Sequence, residues 1–327
     1  MNFLATIGST LEKYISNGQL EEYLVFIQKK YQQYQEGKPA SYIPELAKVD
    51  PDQFAIAVTT IDGRTYSAGD ALNEFTMQST SKPLMYGYAL KEHGSDYVHS
   101  KVGVEPTGEA FNSIIELEEK SHRPFNPMIN SGAIATTSLT KGKDFQDKLR
   151  QIKEHFESYV GRTLQVDEKV YLSEKKTAHR NRAIAYLMKH FDVMESDIEE
   201  TLDLYFKQCS ILMNSLDLSM VAATYANRGV QPVHKNQVIA SADVSKILSL
   251  IFTCGMYDSA GEWAFRVGLP AKSGVSGAIF AVVPGVCGIS CYSPRIDSKG
   301  HSLRGSLAIQ EISEKFKFNI FQMGAVH

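Results

Sequence analysis

The sequence predicts a mixed α/β (α+β) fold in which an antiparallel sheet of about five strands, flanked by helices, is assembled from both ends of the chain. Three observations lead to this prediction. Strand-like apolar runs occur within residues 54–67 and again within 265–292, and a hairpin signal joins the first two of them. The region between, about 80–255, carries apolar residues at helical spacing. The helical region is therefore expected to be a long insertion in one sheet.

The first two strands are predicted by a hairpin pattern. Phe54–Thr60 is apolar and rich in β-branched residues, Asp62-Gly63 follows it, and Arg64–Ser67 would return antiparallel. Residues 1–35 are predicted to be helical, because leucines and isoleucines recur there at helical spacing with an interruption at Gly18.

Helical patterns fill the middle of the chain, at 84–93, 131–140, 144–159, 178–190, 197–208, 215–227 and 241–253. Later strands are predicted at Phe265–Lys272, Gly277–Val283 and Val286–Tyr292, followed by an amphipathic helix at about 305–317. We expect two domains: residues 1–78 with 240–327 form the sheet domain, and 79–239 form a mostly helical one. A functional site is expected in the cleft between them.

Composition narrows the class of protein. The chain has 327 residues, 43% of them hydrophobic and 22% charged, and a net charge of −3, which is ordinary for a soluble enzyme. No sustained basic face favours nucleic acid as a partner. No apolar stretch approaches the roughly 18 residues that a membrane span requires. Residues 1–13 lack the features of a secretory signal, so a cytoplasmic location is expected.

The cysteines and histidines do not suggest a metal site. The four cysteines, Cys209, Cys254, Cys287 and Cys291, form no CxxC pair, and the nine histidines form no HExxH motif. Cys287 and Cys291 are four apart in a strand-like run and would face the same side of a sheet. We expect buried, reduced thiols and no metal cofactor.

A nucleophile is suggested by the pattern Ser79-x-x-Lys82. Pro83 is tolerated only in the first turn of a helix, so a helix must begin near Ser79. The spacing of three then puts Ser79 and Lys82 on one helical face, where a neutral lysine could remove the serine proton. By itself the short pattern also fits an N-cap serine followed by a surface lysine.

Two other serines compete for this role. Gly274-Val-Ser276-Gly-Ala278 nearly fits the G-x-S-x-G elbow, but alanine takes its last position and strand residues follow where a helix is required. Ser81 offers a second hydroxyl beside Lys82, but helical phase puts it on a different face. Ser79 is therefore the preferred candidate.

A third element lies late in the chain. Lys272-Ser273-Gly274 matches the K-[ST]-G triplet that accompanies S-x-x-K in penicillin-recognising enzymes. At a strand it could face the nucleophile, complete an oxyanion hole, and let Lys272 depress the pKa of Lys82 by charge repulsion. With this triplet in order and in context, acyl-serine chemistry is the favoured hypothesis.

Longer motifs recur in fixed order over residues 20–325: Tyr42-Ile-Pro-Glu-Leu-Ala47, Pro127-Met-Ile-Asn130-Ser-Gly-Ala-Ile134, Ser173-Glu174, Arg180-Asn181-Arg182-Ala183-Ile184, Tyr205-Phe-Lys-Gln-Cys-Ser210, Cys254-Gly-Met-Tyr257 and Leu269-Pro-Ala-Lys-Ser-Gly-Val275. With these motifs the chain resembles the serine-dependent glutaminases of bacterial type, whose fold is similar to that of β-lactamases and transpeptidases.

The resemblance implies hydrolysis of L-glutamine to L-glutamate and ammonia through a γ-glutamyl-serine acyl-enzyme, without a cofactor, in a homodimer or homotetramer. It implies that Ser79 is the nucleophile, Lys82 its base and Tyr257 a proton relay. It also implies that the N–H groups of Ser79 and Val275 form the oxyanion hole. The remaining implied substrate contacts are Tyr42, Asn130, Glu174, Asn181 and Tyr205.

These contacts suit a free amino acid. Glu174 could bind the α-ammonium group, and the side chains of Asn181, Tyr205 and Tyr42 could donate to the α-carboxylate. Each residue also has an ordinary structural alternative, such as a helix cap for Asn130 or a solvated acid for Glu174. Two other functions remain open: a penicillin-recognising serine hydrolase (β-lactamase or peptidase), and a non-catalytic glutamine-sensing domain.

Overall fold

The computed structural model describes residues 3–107 and 122–322 of the chain. Two N-terminal helices, α1 (Phe3–Ser16) and α2 (Leu20–Gln32), are separated at Gly18, which has a φ of +69°. The interruption therefore lies where the sequence predicts it, because glycine adopts a left-handed backbone without steric cost.

The predicted five-stranded sheet is confirmed. Its strands are β1 (Ala55–Thr60), β2 (Thr65–Gly69), β5 (Ala271–Ser273), β6 (Ala278–Val283) and β7 (Cys287–Tyr292). Their order is β2-β1-β7-β6-β5, and every neighbouring pair is antiparallel. The strands from the two ends of the chain meet where β1 pairs with β7, so neither end can form the sheet without the other.

One strand prediction was wrong in its first half. Residues 265–270 are not a strand: helix α12 spans Ala260–Arg266, and the edge strand β5 begins only at Ala271. Gly268, with a φ of +66°, lies in the connection between them. A short apolar run has no period long enough to separate a helix end from a strand, and packing decides between them.

Both faces of the sheet are covered, and all residues of β6 and β7 are buried. Helix α10 (Ser215–Ala226) packs against one face, together with Ala278, Phe280 and Val282. The other face packs against α2 and the C-terminal helix α13 (Leu303–Phe316). Cys287 and Cys291 both lie in this second core, on one side of the sheet as predicted, and are unpaired.

The remaining helices are α3 (Lys82–His93), α4 (Ser95–Lys101), α5 (Asn130–Ser138), α6 (Phe145–Val160), α7 (Glu168–Thr177), α8 (His179–His190), α9 (Ile198–Cys209) and α11 (Ser241–Thr253). The seven helices predicted in this region all occur, each within two residues of its predicted start. Helices α4 and α7 were not predicted.

A short second sheet pairs β3 (Phe75–Thr76) with β4 (Leu212–Met213), just before the predicted nucleophile. Phe75 also stacks on Tyr292 of β7, with ring centroids 4.3 Å apart. The helical region and the main sheet are therefore linked here by backbone pairing and by aromatic packing. The two-domain division stays a prediction, since α10 lies within 79–239 and yet covers the sheet.

Within the described residues, no helix is long and apolar enough to cross a membrane.

A matched pair of glycine variants tests the packing of α10 on the sheet. A Cβ at Gly288 of β7 would come within 2.4 Å of the carbonyl oxygen of Ser219 and still closer to the backbone nitrogen of Ala223. We expect Gly288→Ala to lower the free energy of unfolding by about 1–3 kcal/mol or more, measured by urea denaturation.

The control is Gly261→Ala in α12, where an added Cβ meets nothing within 4 Å. This variant should be neutral or stabilise by up to about 1 kcal/mol. Equal effects of the two substitutions would contradict the described contact between β7 and α10.

Candidate active site

Ser79 lies in a one-turn 3-10 helix, Gln78–Ser81, which continues directly into α3. Pro83 occupies the first turn of α3, as the sequence predicts. The side chain of Ser79 is only 9% exposed. Gln78, just before it, has a φ of +47°, a strained conformation for a residue with a side chain. Ser79 is thus held at a sharp entry into a buried helix.

Ser81, the alternative hydroxyl, is used structurally. Its Oγ is buried and donates to the carbonyl oxygen of Gln78 at 2.7 Å. This bond closes the 3-10 turn, so the hydroxyl of Ser81 points back along the chain. The structure therefore favours Ser79 over Ser81.

Lys82 is fully buried in the first turn of α3. Its Nζ donates to the carbonyl oxygen of Met128 at 3.1 Å and to Oδ1 of Asn130 at 2.8 Å. Burial lowers the pKa of Lys82 to about 7, although the negative charge of nearby groups, including Glu174, opposes this. A substantial fraction of the lysine is consequently neutral near pH 7, as a general base requires.

Tyr257 lies beside both of these residues. Burial raises the pKa of its phenol, while a hydrogen bond with the Ser79 side chain opposes the rise. The Nζ of Lys82 is 5.6 Å from the centre of the Tyr257 ring. The tyrosine thus contacts the candidate nucleophile and lies close to the candidate base.

Lys272 of β5 is the second buried lysine of the site. Its Nζ donates to the carbonyl oxygens of Gly255 at 2.9 Å and Ser273 at 2.7 Å, and lies 4.0 Å from the centre of the Tyr257 ring. Burial, followed by repulsion from Lys82, holds the pKa of Lys272 well below its usual range. Burial, rather than Lys272, is the main cause of the low pKa of Lys82.

Gly274 brings the end of β5 against the nucleophile turn. A Cβ at this position would lie 2.9 Å from the carbonyl oxygen of Met77 and 3.5 Å from the backbone nitrogen of Ser79. Only glycine allows this approach without displacing the turn. The next residue, Val275, has a backbone N–H that donates to no group among the described residues. The N–H groups of Ser79 and Val275 therefore lie in neighbouring segments.

Glu174 of α7 is a buried carboxylate rather than a solvated one. One oxygen, Oε2, has no hydrogen-bond partner in the described part of the chain. Burial raises the pKa of Glu174 to about 8, although a hydrogen bond from Gln78 and the charge of Lys82 oppose the rise. An unpartnered buried carboxylate is costly, and it suits a cationic group supplied by a ligand.

Asn130 connects several predicted contacts. Its Oδ1 accepts from Lys82 and, at 3.3 Å, from the hydroxyl of Tyr205; its Nδ2 donates to Oδ1 of Asn181 at 3.0 Å. The bond from Lys82 fixes which end of the amide carries the oxygen, because an ammonium can only donate. Asn130 is therefore part of a polar network and not merely a helix cap.

Tyr42 joins this group from outside the two domains' cores. Its surface is 51% exposed, yet burial of its hydroxyl and the proximity of Glu174 raise its pKa. It lies with Val275 on the wall of an open cavity of about 630 Å³. The predicted site residues therefore converge on one place in the fold.

Ser276, the rival nucleophile, lies elsewhere. Its buried Oγ has no hydrogen-bond partner within residues 3–107 and 122–322, so no described base is in reach. It lines a separate cavity of about 260 Å³ together with Thr76 and Asp167. The structure thus offers it no means of activation.

Three residues of the site were not predicted from the sequence. Gln78 binds Glu174, Cys209 lies near Ser81 and Tyr205, and His301 stacks on Tyr257. Gln78 could have been noticed as the neighbour of the nucleophile, but its positive φ leaves no sequence signal. No group of three or more His, Cys, Asp or Glu among the described residues could hold a metal ion.

Taken as chemistry, the site combines a hydroxyl, a partly neutral lysine, backbone N–H donors and an unpartnered carboxylate. The first three are the components of acyl transfer to serine. The carboxylate and the neighbouring amide and phenol donors provide for a ligand that carries both positive and negative charge.

Comparison with known proteins gives one family throughout. The family model described as glutaminase matches residues 37–321. A glutaminase from Nostoc sp. is 52% identical over 296 residues, which cover 90% of this chain and 88% of that protein. A solved structure of the probable glutaminase YbaS has a TM-score of 0.90 at 38% identity, covering 93% of this chain and 98% of the other. A probable glutaminase from Bacillus subtilis, complexed with 6-diazo-5-oxo-L-norleucine, has a TM-score of 0.83 at 36% identity, covering 93% and 95%.

The buried Glu174 predicts a dependence of stability on pH. A carboxyl group whose pKa is raised by folding stabilises the fold below its unfolded pKa, near 4.5, and loses that contribution as the pH rises through about 8. We expect Glu174→Gln to stabilise the empty protein at pH 9 relative to pH 5, by on the order of 3 kcal/mol in urea denaturation.

The control is Glu21→Gln, which alters an exposed acid on α2. It should shift stability equally at the two pH values. The same behaviour from Glu174→Gln would show that this carboxylate is not desolvated in solution.

Proposed function

This chain belongs to the glutaminase family and hydrolyses L-glutamine to L-glutamate and ammonia on a β-lactamase-like fold; within that activity, we propose that Ser79 is the nucleophile and Lys82 its general base. The observation that carries the proposal is the burial of Lys82 one helical turn from Ser79, with only neutral hydrogen-bond acceptors around its Nζ. A lysine in this setting is ready to accept a proton.

In the acylation half of the reaction, neutral Lys82 takes the proton of Ser79 and the Oγ attacks the Cδ of glutamine. The resulting oxyanion accepts from the N–H groups of Ser79 and Val275. The intermediate collapses as its C–N bond breaks, and the departing nitrogen receives a proton from Lys82 or through Tyr257. Ammonia leaves, and a γ-glutamyl ester remains on Ser79.

Deacylation follows the reverse proton path. Lys82 takes a proton from a water molecule, whose oxygen attacks the ester carbon. The ester C–O bond breaks, and the proton returns to the Oγ of Ser79. The sum of the two halves is glutamine plus water giving glutamate plus ammonia, so no other reactant is needed.

Substrate recognition follows from the charges of the site. The unpartnered Oε2 of Glu174 suits the α-ammonium group, and Asn181, Tyr205 and Tyr42 are proposed as neutral donors to the α-carboxylate. The complex of the Bacillus subtilis protein with 6-diazo-5-oxo-L-norleucine, a compound with the amino-acid end of glutamine, supports a site of this kind. A peptide or β-lactam lacks the free α-ammonium group and would leave Glu174 unpaired.

We also propose a cytoplasmic location and a homodimer or homotetramer. Both follow from the family resemblance and the unexceptional charge of the chain. Sedimentation velocity of the purified protein would measure the assembly directly.

Ser79→Ala and Ser276→Ala form a matched pair that tests the nucleophile. We expect Ser79→Ala to lower ammonia release by roughly 10³-fold or more, because it removes the attacking atom, whereas Ser276→Ala stays near the wild type. Mass spectrometry after treatment with 6-diazo-5-oxo-L-norleucine should find an adduct on Ser79 in the wild type and in Ser276→Ala, but not in Ser79→Ala. An adduct that persists in Ser79→Ala would sink the assignment.

The pH profile of the reaction tests the base. Protonated Lys82 cannot accept a proton, and protonated Glu174 cannot attract an ammonium, so both losses act as the pH falls. With pKa values of about 7 and about 8 respectively, log kcat/KM should decline below pH 8 and reach a slope of about two below pH 7.

Glu174→Gln separates the two titrations. At low activity it should retain only the limb near pH 7, with a slope of about one. A wild-type profile that is flat between pH 6 and 9 would contradict both assignments.

A further inference from the structure

The backbone at Tyr257 needs support from its surroundings. Its φ is +50°, a left-handed conformation that is uncommon for an aromatic residue and persists only where neighbouring contacts hold it. The ring contacts of Tyr257 therefore decide where its hydroxyl lies relative to Ser79.

His301 supplies one of those ring contacts. The imidazole stacks on Tyr257, with ring centroids 6.0 Å apart and planes inclined by 22°. The ammonium of Lys272 lies 4.0 Å from the same ring centre. Tyr257 is thus held by a cation and by an aromatic ring, and neither belongs to its own 3-10 turn, Tyr257–Ser259.

His301 is itself fixed from two directions. Its Nδ1 shares a 2.9 Å hydrogen bond with the Oγ of Ser273, the middle residue of the Lys272–Gly274 triplet. Its backbone N–H donates to Oδ1 of Asp297 at 2.9 Å, and its carbonyl accepts from the Asp297 N–H at 2.9 Å. The side chain is 3% exposed. It therefore forms a rigid connection between β5 and the ring of Tyr257.

The charge of His301 fits such a contact. Burial lowers its pKa to about 4, Lys272 and Lys299 also lower it, and Asp297 and Asp258 oppose the change. The imidazole is therefore neutral at neutral pH and adds no second cation beside Lys272.

We propose that His301 is a positioning residue of glutamine hydrolysis, which holds the hydroxyl of Tyr257 in register with Ser79 by stacking on the ring and bonding to Ser273. The inference rests on the role proposed above for Tyr257 in proton transfer. It assigns to His301 no contact with the substrate.

Two substitutions separate the stack from an ordinary packing role. Phenylalanine keeps a flat ring and loses only the bond to Ser273, because Nε2 of His301 has no partner among the described residues. Asparagine can keep a polar contact but has no ring. We expect His301→Phe to keep kcat within about threefold, and His301→Asn to lower it about tenfold with KM changed less than about twofold.

A double-mutant cycle identifies the residue through which His301 acts. In a Tyr257→Phe background, which lacks the hydroxyl, His301→Asn should produce no further loss of kcat. His234→Asn, in an exposed loop, is the control for loss of a histidine and should match the wild type. If His301→Asn folds poorly in a thermal melt, His301→Gln replaces it in the same cycle.

The outcomes are distinct. Equal kcat in wild type, His301→Phe and His301→Asn would overturn the inference, as would a tenfold loss repeated in full on top of an impaired Tyr257→Phe. A Tyr257→Phe enzyme with unchanged kcat would instead reject the proposed role of Tyr257. A loss confined to His301→Asn, absent from the Tyr257→Phe background, supports the positioning role.

Discussion

The burial of Lys82 is the constraint on which the rest of the site depends. An ammonium group removed from water, with only a carbonyl and an amide oxygen to receive its protons, loses much of its preference for the charged state. That same environment orients the neighbours. Because Lys82 can only donate, Asn130 must present its oxygen to the lysine and its nitrogen to Asn181. The lysine thus links proton transfer to the geometry of the substrate contacts through one amide group.

The second buried lysine is brought to this place by the topology of the sheet. The strand that carries Lys272 comes from the far end of the chain and is ordered by pairing with β6, which pairs with β7 and so with β1. At its end, Gly274 lets the strand approach the backbone at Ser79, where a larger residue would collide with the carbonyl of Met77. Tyr257 lies between the two lysines, and its strained backbone is tolerated because the cation of Lys272 and the ring of His301 hold its side chain. The interior of the sheet domain therefore determines the geometry of the proton path.

Glu174 shows how function is placed at a cost to stability. A carboxylate with a buried, unpartnered oxygen is unfavourable in the empty protein, and its raised pKa expresses that cost. The charge of an amino-acid ligand would relieve it, so binding and ionisation of Glu174 favour each other. The strained Gln78, which bonds to this carboxylate and precedes the nucleophile, joins the substrate-binding and catalytic parts of the site within one turn of chain.

The sequence alone determined the helices, the two-ended sheet and the pairing of Ser79 with Lys82, since these follow from local periodicity, a hairpin dipeptide and the fixed position of Pro83. It also placed Lys272, Glu174 and the amide and phenol contacts, because their motifs occur together in one family. Only the tertiary structure decided that Ser81 is turned back onto Gln78, that residues 265–266 end a helix, and that His301 stacks on Tyr257. The reason is physical: local patterns encode backbone preference and burial, whereas hydroxyl orientation, desolvation of a charge and ring stacking depend on groups that are distant in sequence and meet only after folding.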